Sequence, residues 1–234
     1  MKIAGLQKVS LLDYPGRIAA SVFLAGCNLD CGYCHNRWMI DASAVAEAIS
    51  IPDLLRWLET RVGLLDGVCV SGGEPTIHAD LAILLRDIRA LGMLVKLDTN
   101  GTRPHALRTL LEEGLVDYVA MDIKAPMDAR YHLVAGRVVN LADLRESMAV
   151  LRVWDPTAKH YEFRTTADPR VDAPALHDIV RELWRCERWA LQHYMLPRDP
   201  AAKPVDGVAL DTEQLQEIAQ NLVDTVPGVF VRGD

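Results

Sequence analysis

Residues 18–36 read IAASVFLAGCNLDCGYCHN, an apolar run followed at once by three closely spaced cysteines. The run at 18–24 has the length and the strand-forming composition of a buried β-strand. Cys27, Cys31 and Cys34 come directly after it. We therefore expect the cysteines on the loop that leaves the carboxyl end of a strand, which is where α/β folds carry their chemistry.

Strand-like and helix-like segments alternate along the rest of the chain. The predicted strands are residues 18–24, 67–71, 94–98, 118–123, 161–165 and 190–195. The predicted helices are residues 44–61, 81–91, 105–113, 141–154, 175–188 and 212–223. The residues expected to cap helix N-termini are Ser43, Asn140, and Asp211 or Thr212. This alternation predicts a parallel sheet with helices packed outside it, curled by right-handed crossovers into a partial (β/α)6 TIM-like barrel.

We expect a single domain over residues 1–234, because no shift in composition marks a second one. Its core is predicted at about 18–195, and a C-terminal helix and tail at 205–234. A Pro-rich loop at 196–204 follows the last predicted strand. This loop is interpreted either as a lid or as a plain surface connection.

The composition excludes several classes of protein. A net charge of −7 argues against non-specific nucleic-acid binding, which depends on a basic surface. No apolar run approaches membrane-spanning length, and the first residues lack the core of a signal peptide. We expect a cytoplasmic protein that binds neither nucleic acid nor membrane. The five cysteines are an odd number, which also disfavours a disulfide framework.

The three clustered cysteines leave two metal-site interpretations open. Three thiolates can hold three irons of a 4Fe-4S cluster and leave the fourth iron without a protein ligand, whereas electron-carrying ferredoxins close the cluster with four. A structural zinc site using these cysteines and His35 is the alternative. Adjacent residues such as Cys34 and His35 rarely reach one tetrahedral ion together, which disfavours zinc. Cys69 and Cys186 belong to no motif and are expected to be structural.

Polar residues follow the next three predicted strands. Ser71-Gly72-Gly73-Glu74-Pro75 combines a backbone that a ligand can approach closely with a carboxylate, a combination that can bind an ammonium group. Asp98 begins the sequence DTNG at 98–101, and Asp122 and Lys124 lie in DIK at 122–124. Strand alternation places Asp122 and Lys124 on one face, where they could hold a zwitterion or a ribose hydroxyl, or form a local salt bridge.

These motifs together resemble the radical S-adenosylmethionine (SAM) enzymes. Cys27-x3-Cys31-x2-Cys34, with Tyr33 before the last cysteine, is similar to the cluster loop of that family, and SGGEP at 71–75 is similar to its SAM-binding turn. The stretches SLLDYPG at 10–16, CHN at 34–36, DTNG and DIK are similar to the glycyl-radical-enzyme activating enzymes. Among these, the similarity is greatest to the activators of anaerobic ribonucleoside-triphosphate reductase, and it covers roughly residues 3–195.

The resemblance implies two cofactors and a radical reaction. In this family the open iron is chelated by the amino and carboxylate groups of SAM, and the reduced 4Fe-4S cluster cleaves SAM to methionine and a 5′-deoxyadenosyl radical. In the activating enzymes that radical removes hydrogen from a glycine of a partner enzyme. The reactive group comes from SAM, so no catalytic side chain is assigned. One cluster is expected, since the chain has no cysteine-rich insert.

The resemblance also implies roles for individual residues. Cys27, Cys31 and Cys34 match the cluster ligands, and Tyr33 matches the adenine contact. Gly72, Gly73 and Glu74 match the turn that binds the amino group of SAM. Asp98 and Asp122 match residues near the methionine part, the ribose or a monovalent cation, and Lys124 matches a partner of the carboxylate. His193 is aligned with a ribose contact, with Gln192 as an alternative; His193 or Arg164 could equally be core residues.

The predicted partners are a glycyl radical enzyme, in particular anaerobic ribonucleotide reductase, and a flavodoxin or ferredoxin as electron donor. Two other functions are weighed against this one. The first is a radical SAM enzyme that acts on a small molecule, of the 7-carboxy-7-deazaguanine synthase type. The second is a non-catalytic iron–sulfur or zinc module, which would leave the turn at 72–75 without a purpose.

Overall fold

The computed structural model describes residues 1–157, 159–184, 187–197 and 205–233. Within these residues the strands are β1 Ile3–Ser10, β2 Ala19–Leu24, β3 Gly67–Gly72, β4 Leu94–Thr99, β5 Tyr118–Asp122, β6 Tyr161–Thr166, β7 Arg188–Gln192 and β8 Gly228–Arg232. The α-helices are α1 Ile51–Glu59, α2 Leu81–Ala90, α3 Pro104–Glu112, α4 Ala129–Ala135, α5 Leu141–Trp154, α6 Ala173–Ile179 and α7 Thr212–Leu222. Short 3-10 helices cover Arg37–Met39, Pro75–Ile77 and Val180–Glu182.

The sheet follows the order of the chain, from β1 to β8. β1 pairs with β2 in the antiparallel sense, whereas β2, β3 and β4 are parallel to one another. β6, β7 and β8 are likewise parallel. The α/β fold with a mostly parallel sheet is therefore confirmed.

The chain divides into two compact units. The first comprises Met1–Asn28, Trp38–Thr99 and Arg103–Val119, and it contains β1–β4 with α1, α2 and α3. The second comprises Leu29–Arg37, Asn100–Thr102 and Ala120–Asp234, and it contains β6–β8 with α4–α7. Strand β5 begins in the first unit and ends in the second.

Each unit buries apolar side chains of its own. In the first, the helices α1 and α2 bury Leu54, Leu58, Leu84, Leu85 and Ile88. In the second, Trp189 is fully buried and its indole nitrogen donates to the Thr165 hydroxyl at 2.9 Å. The rings of Tyr161 and Phe163 meet edge to face there, with centroids 5.5 Å apart, an arrangement that favours aromatic packing.

All the predicted strands are present, and two further strands were not predicted as such. The last predicted strand, at 190–195, is displaced, since β7 runs from Arg188 to Gln192. The apolar residues at 229–231 form part of β8. β1 was not predicted because residues 7–9 at its centre are exposed, which removes the apolar signal of a buried strand.

Two predicted helix boundaries are wrong, the start of α1 and the end of α6. Helix α1 begins at Ile51 rather than at 44, with Ser50 and not Ser43 as its N-cap, and the Ser50 hydroxyl accepts from the amide of Asp53 at 3.1 Å. Residues before it cannot join the helix because the amide of Ile49 donates to the carbonyl of Ile3. The predicted helix at 175–188 ends early: α6 stops at Ile179, and the chain continues as a 3-10 helix.

The other helices lie close to their predicted positions. Asn140 and Asp211 are confirmed as N-caps, and Asp211 forms a capping box with Gln214. Helix α4 was not predicted. This helix is short, so its apolar pattern is brief. Asp128 is its N-cap, and Gly136 ends it in the left-handed conformation. Cys186 and residues 198–204 of the Pro-rich loop lie outside the described residues, so the expectations for them stay predictions.

No helix within the described ranges is long and apolar enough to span a membrane.

Candidate active site

The stretch 10–16 forms a turn between β1 and β2 in the first unit. The Ser10 hydroxyl accepts from the amides of Leu12 and Asp13, at 3.2 and 3.1 Å. Tyr14 is buried, and its ring packs against Tyr118 with centroids 5.9 Å apart. Burial raises the pKa of Tyr14 to about 12, so its phenol stays protonated. In this structure the motif fixes the entry into the strand that leads to the cysteine loop.

The approach to Cys27 is fixed by backbone hydrogen bonds. The amide of Gly26 donates to the carbonyl of Met39 at 2.8 Å, and the amide of Cys27 donates to that of Ile40 at 3.1 Å. Gly26 has φ +101°, a conformation that L-residues rarely adopt. The chain thus leaves β2 in a defined direction before it reaches the cysteine.

The Gly72-Gly73-Glu74 turn is held against this same segment. The amide of Gly73 donates to the carbonyl of Leu24 at 2.8 Å, and the amide of Glu74 donates to that of Gly26 at 2.9 Å. A Cβ atom on Gly73 would lie 2.0 Å from the Gly26 carbonyl oxygen, a distance that side chains do not tolerate. Glycine is therefore required at 73 by close backbone approach.

Glu74 is fully buried and holds the turn from within. Its Oε1 atom accepts from the amide of Thr76 at 3.1 Å and from the Thr99 hydroxyl at 2.8 Å. The Thr76 hydroxyl donates to the same oxygen. Glu74 thus caps the 3-10 helix at 75–77 and ties the turn after β3 to the end of β4.

Asp98 lies beside a buried lysine that the sequence analysis did not select. Lys96 forms an ion pair with Asp98, and the Ser71 hydroxyl donates to Asp98 Oδ2 at 3.1 Å. The Lys96 ammonium also donates to the Cys69 sulfur at 3.6 Å. These four side chains alternate along β3 and β4 and share one face of the first unit's strands.

In the second unit, the cysteine loop is bound to the end of α4. The amide of Asp30 donates to the carbonyl of Ala135 at 2.9 Å, and the Cys31 thiol contacts that same carbonyl at 3.8 Å. A Cβ atom on Gly136 would lie 2.0 Å from the Asp30 carbonyl oxygen. The amide of Cys34 donates to the carbonyl of Cys31 at 3.1 Å, which makes a tight turn between two of the candidate ligands.

Arg170 lies beside the cysteine loop at Gly32. The Arg170 guanidinium makes a bidentate ion pair with Asp168 and donates to the Leu133 carbonyl at 2.9 Å. The Arg170 Nη2 atom would lie 3.4 Å from a Cβ atom on Gly32. Arg170 therefore lies beside Gly32, between Cys31 and Tyr33, a position that its surface-like sequence context did not indicate.

The structure brings Tyr33, Asp122 and Lys124 together, whereas only Asp122 and Lys124 were predicted to share a face; these two form the local salt bridge that was the alternative prediction for them. The Lys124 ammonium lies 2.9 Å from Asp122 Oδ2 and 5.8 Å from the centre of the Tyr33 ring. Arg164 was not assigned a role, yet its Nε atom lies 2.9 Å from Asp122 Oδ1. The Asp122 carboxylate is thus held by two cationic side chains.

Burial and charge act in opposite directions on Lys124. Burial is the largest single influence and acts to lower the pKa of its ammonium, but the acidic neighbours together, Asp122 foremost, outweigh it, and the pKa is raised well above the usual value. Lys124 therefore stays charged. Burial also raises the pKa of the Cys31 thiol, and the Lys124 charge opposes that rise.

His193 and its neighbours follow the end of β7. His193 is partly exposed, and its ring would lie 3.9 Å from a Cβ atom on Gly233. The carbonyl of Gln192 accepts from the amide of Ala167 at 2.8 Å. The His35 ring contacts the Met195 carbonyl, with 3.0 Å between Nε2 and oxygen, so the cysteine loop is linked to the segment after β7.

Cys27, Cys31 and Cys34 are side chains of the type that binds an iron–sulfur cluster. Cys27 and Cys34 are half-buried, and Cys31 is buried. Soft thiolates are the ligands of iron–sulfur clusters. Within the described part of the chain, no three His, Cys, Asp or Glu side chains are already grouped at metal-binding distances. The fit therefore rests on the three closely spaced cysteines, the Lys124 charge beside Cys31 and the glycine turn beside Cys27.

Comparison with known proteins gives consistent results. The family model of the radical SAM superfamily matches residues 21–153. A putative glycyl-radical enzyme activating enzyme of Methanocaldococcus jannaschii is 30% identical over 234 residues, covering 96% of this chain and 94% of the relative. The pyruvate formate-lyase-activating enzyme of Clostridium pasteurianum is 28% identical over 204 residues and covers 82% of each chain.

The fold is shared with solved structures. Streptococcus suis SuiB bound to S-adenosylmethionine superposes with a TM-score of 0.67 over 91% of this chain, at 14% identity. This chain spans about half the length of SuiB, 51%. The likeness supports the partial-barrel fold. The family model and the full-length relative show that the chain belongs to the radical SAM superfamily and, within it, to the glycyl-radical-enzyme activating enzymes.

Proposed function

We propose that this protein installs a glycyl radical on anaerobic ribonucleoside-triphosphate reductase. Membership of the family implies one 4Fe-4S cluster and SAM. We assign Cys27, Cys31 and Cys34 as the cluster ligands. The observation that carries the proposal is the Gly73 turn, which fits only glycine and is hydrogen-bonded to the segment that leads into Cys27.

When bound, the reduced cluster and SAM supply the 5′-deoxyadenosyl radical that removes a hydrogen atom from glycine. The chain's own residues bind and orient SAM. Lys124 keeps its positive charge and attracts the methionine carboxylate, while Asp122, itself bound by Arg164, holds Lys124 in place. Tyr33, whose ring lies beside the Lys124 ammonium, provides a face for adenine.

The turn at 72–74 would bind the amino group of SAM through backbone oxygens that glycine leaves accessible. Glu74 acts here mainly as a positioning residue, because its Oε1 atom accepts three hydrogen bonds from Thr76 and Thr99. His193 is assigned to the ribose, with Gln192 as the alternative. A monovalent cation beside Asp98 or Asp122 stays a prediction of the resemblance.

The choice of partner rests on the resemblance at SLLDYPG, CHN, DTNG and DIK. All four stretches have defined contacts: Tyr14 packs on Tyr118, His35 links the cysteine loop to Met195, Asp98 pairs with Lys96, and Asp122 pairs with Lys124. A flavodoxin or ferredoxin is proposed as the electron donor. A single domain and a reducing, cytoplasmic location also stay predictions.

The proposal is tested by anaerobic reconstitution with iron and sulfide, followed by reduction and addition of SAM and anaerobic ribonucleoside-triphosphate reductase. We expect methionine and 5′-deoxyadenosine to form, and the EPR doublet of a glycyl radical to appear on the reductase. The Cys31→Ser protein serves as the inactive control. The matched control is Cys186→Ser, which replaces a cysteine outside the motif.

Two outcomes would contradict the proposal. SAM cleavage without a glycyl doublet on this reductase, but with one on another glycyl radical enzyme, would overturn the choice of partner. SAM cleavage with turnover of a small molecule, and no doublet on any glycyl radical enzyme, would favour the 7-carboxy-7-deazaguanine synthase type of function.

A further inference from the structure

A buried lysine lies beside one of the two carboxylates at which the family resemblance implies a monovalent cation. Lys96 is in the middle of β4 and is only 1% exposed. A buried ammonium is strongly unfavourable unless an anion and hydrogen-bond acceptors surround it. Lys96 has both, since it pairs with Asp98 and donates to the Cys69 sulfur at 3.6 Å.

The geometry of the two strands fixes this arrangement. Cys69 on β3 is the register partner of Lys96 on β4, and the Ser71 hydroxyl donates to Asp98. The two carboxylate oxygens of Asp98 have separate partners: Oδ1 accepts from the Lys96 ammonium and Oδ2 from the Ser71 hydroxyl. The Asp98 carboxylate is therefore oriented and neutralised by side chains of its own unit.

We propose that Lys96 supplies, as part of the chain, the positive charge that a bound monovalent cation would otherwise supply at Asp98. SAM binding by this protein then does not depend on free potassium or sodium. This inference rests on the proposed function, because it concerns the SAM site of that function.

The surrounding side chains do not fit an additional cation. A free ion at Asp98 would have to lie near the Lys96 ammonium, and like charges at short range repel strongly where burial lowers the dielectric constant. The hydroxyl of Thr99, the residue after Asp98, donates to Glu74 Oε1 at 2.8 Å and is therefore directed toward Glu74.

The other candidate carboxylate is also neutralised within its own unit. Asp122 is held by Lys124 and Arg164, each 2.9 Å away, so one negative charge faces two positive ones. Such a group attracts an anion such as the methionine carboxylate, and it repels a metal cation. Neither carboxylate therefore offers the charge that a monovalent cation needs.

The first experiment uses the unmodified protein. SAM affinity of the reconstituted protein is measured anaerobically by titration calorimetry in choline chloride, sodium chloride and potassium chloride at equal ionic strength. We expect the dissociation constants to agree within about twofold. An affinity about tenfold weaker in choline chloride than in potassium chloride would overturn the inference.

The second experiment removes the charge of Lys96. In choline chloride, Lys96→Met should bind SAM about tenfold more weakly, and sodium or potassium should restore much of the loss by occupying the vacated position. The matched control is Lys8→Met, which alters an exposed lysine on β1 and should bind SAM as the unmodified protein does. A Lys96→Met protein that is folded and binds SAM equally well in all three salts would contradict the role of Lys96.

A third measurement separates this inference from the proposed function. Sodium NMR relaxation reports cation binding whether or not SAM binds. Saturable sodium binding to the unmodified protein would overturn the inference, and its absence there supports it even if Lys96→Met does not fold. Failure of the unmodified protein to bind SAM in every salt would instead contradict the proposed function.

Discussion

Replacing Gly73 with alanine places a Cβ atom 2.0 Å from the carbonyl oxygen of Gly26. A shift of about 1 Å is needed to reach even the 3.0 Å limit of real contacts, and the obstacle is backbone rather than a flexible side chain. The shift breaks or stretches two hydrogen bonds, from Gly73 to Leu24 and from Glu74 to Gly26. Each is worth about 1 kcal/mol, and overpacking adds about 1–3 kcal/mol.

We therefore expect Gly73→Ala to lower the free energy of unfolding by about 3–5 kcal/mol. The same displacement moves the proposed SAM-binding turn, so SAM affinity should fall by at least about tenfold. Urea unfolding and anaerobic calorimetry measure the two effects. The control is Gly5→Ala, where a new Cβ atom meets Phe23 at an ordinary 3.6 Å. A Gly73→Ala protein with unchanged stability and unchanged SAM affinity would refute the reasoning.

Three further predictions concern the cluster ligands, a buried ion pair and pH. After reconstitution, most of the iron and the visible absorption should be lost in each of three variants, Cys27→Ser, Cys31→Ser and Cys34→Ser. The control Cys69→Ser should retain both. Iron loss in Cys69→Ser alone would reverse the assignment of the ligands. Glu187→Gln should lower the free energy of unfolding by about 3 kcal/mol, because fully buried Glu187 pairs with Arg152. Glu113→Gln, in an exposed pair with Arg86, should lower it by at most about 1 kcal/mol. Thermal unfolding compares the two variants, and equal shifts in melting temperature would contradict the burial argument. Burial alone would raise the pKa of Asp155, but hydrogen bonds from Thr157, His160 and Lys159 lower it to about 2. The stability due to Asp155 is therefore present above about pH 4 and is lost as pH falls toward 2. We expect Asp155→Asn to be less stable than the unmodified protein by about 1–2 kcal/mol at pH 7. Urea unfolding at pH 3.5 should show a smaller difference between the two proteins. A difference that grows on acidification would show that another group dominates.

The strands of the fold could be predicted because their composition is determined by burial. The segments at 67–71 and 94–98 are rich in apolar residues since both faces of a parallel sheet are covered. Strand β1 lies at the antiparallel edge and exposes its centre, so its residues carry no such pattern. Helix α1 was predicted too long because the bridge from Ile49 to Ile3, a long-range contact, ends the helical pattern.

The candidate site was predictable only where it follows a motif. Cysteine spacing and the glycine turn are local signals, and they located Cys27 and Gly73 directly. Lys96 gave no such signal, because a lysine in a strand normally marks an exposed position. Its burial depends on Asp98 and Cys69 together, and the pairing of β3 with β4 had to be known first.

Strand β8 carries the counter-charge of a residue seventy positions earlier in the chain. Arg232 donates to Glu162, whose side chain is completely buried on β6. A shortened protein that ends before residue 228 would leave Glu162 without this guanidinium, and an uncompensated buried carboxylate costs about 3–5 kcal/mol. Fragments that keep β6 but end before β8 would therefore need the last strand, or Glu162→Gln, to be expressed in a folded form.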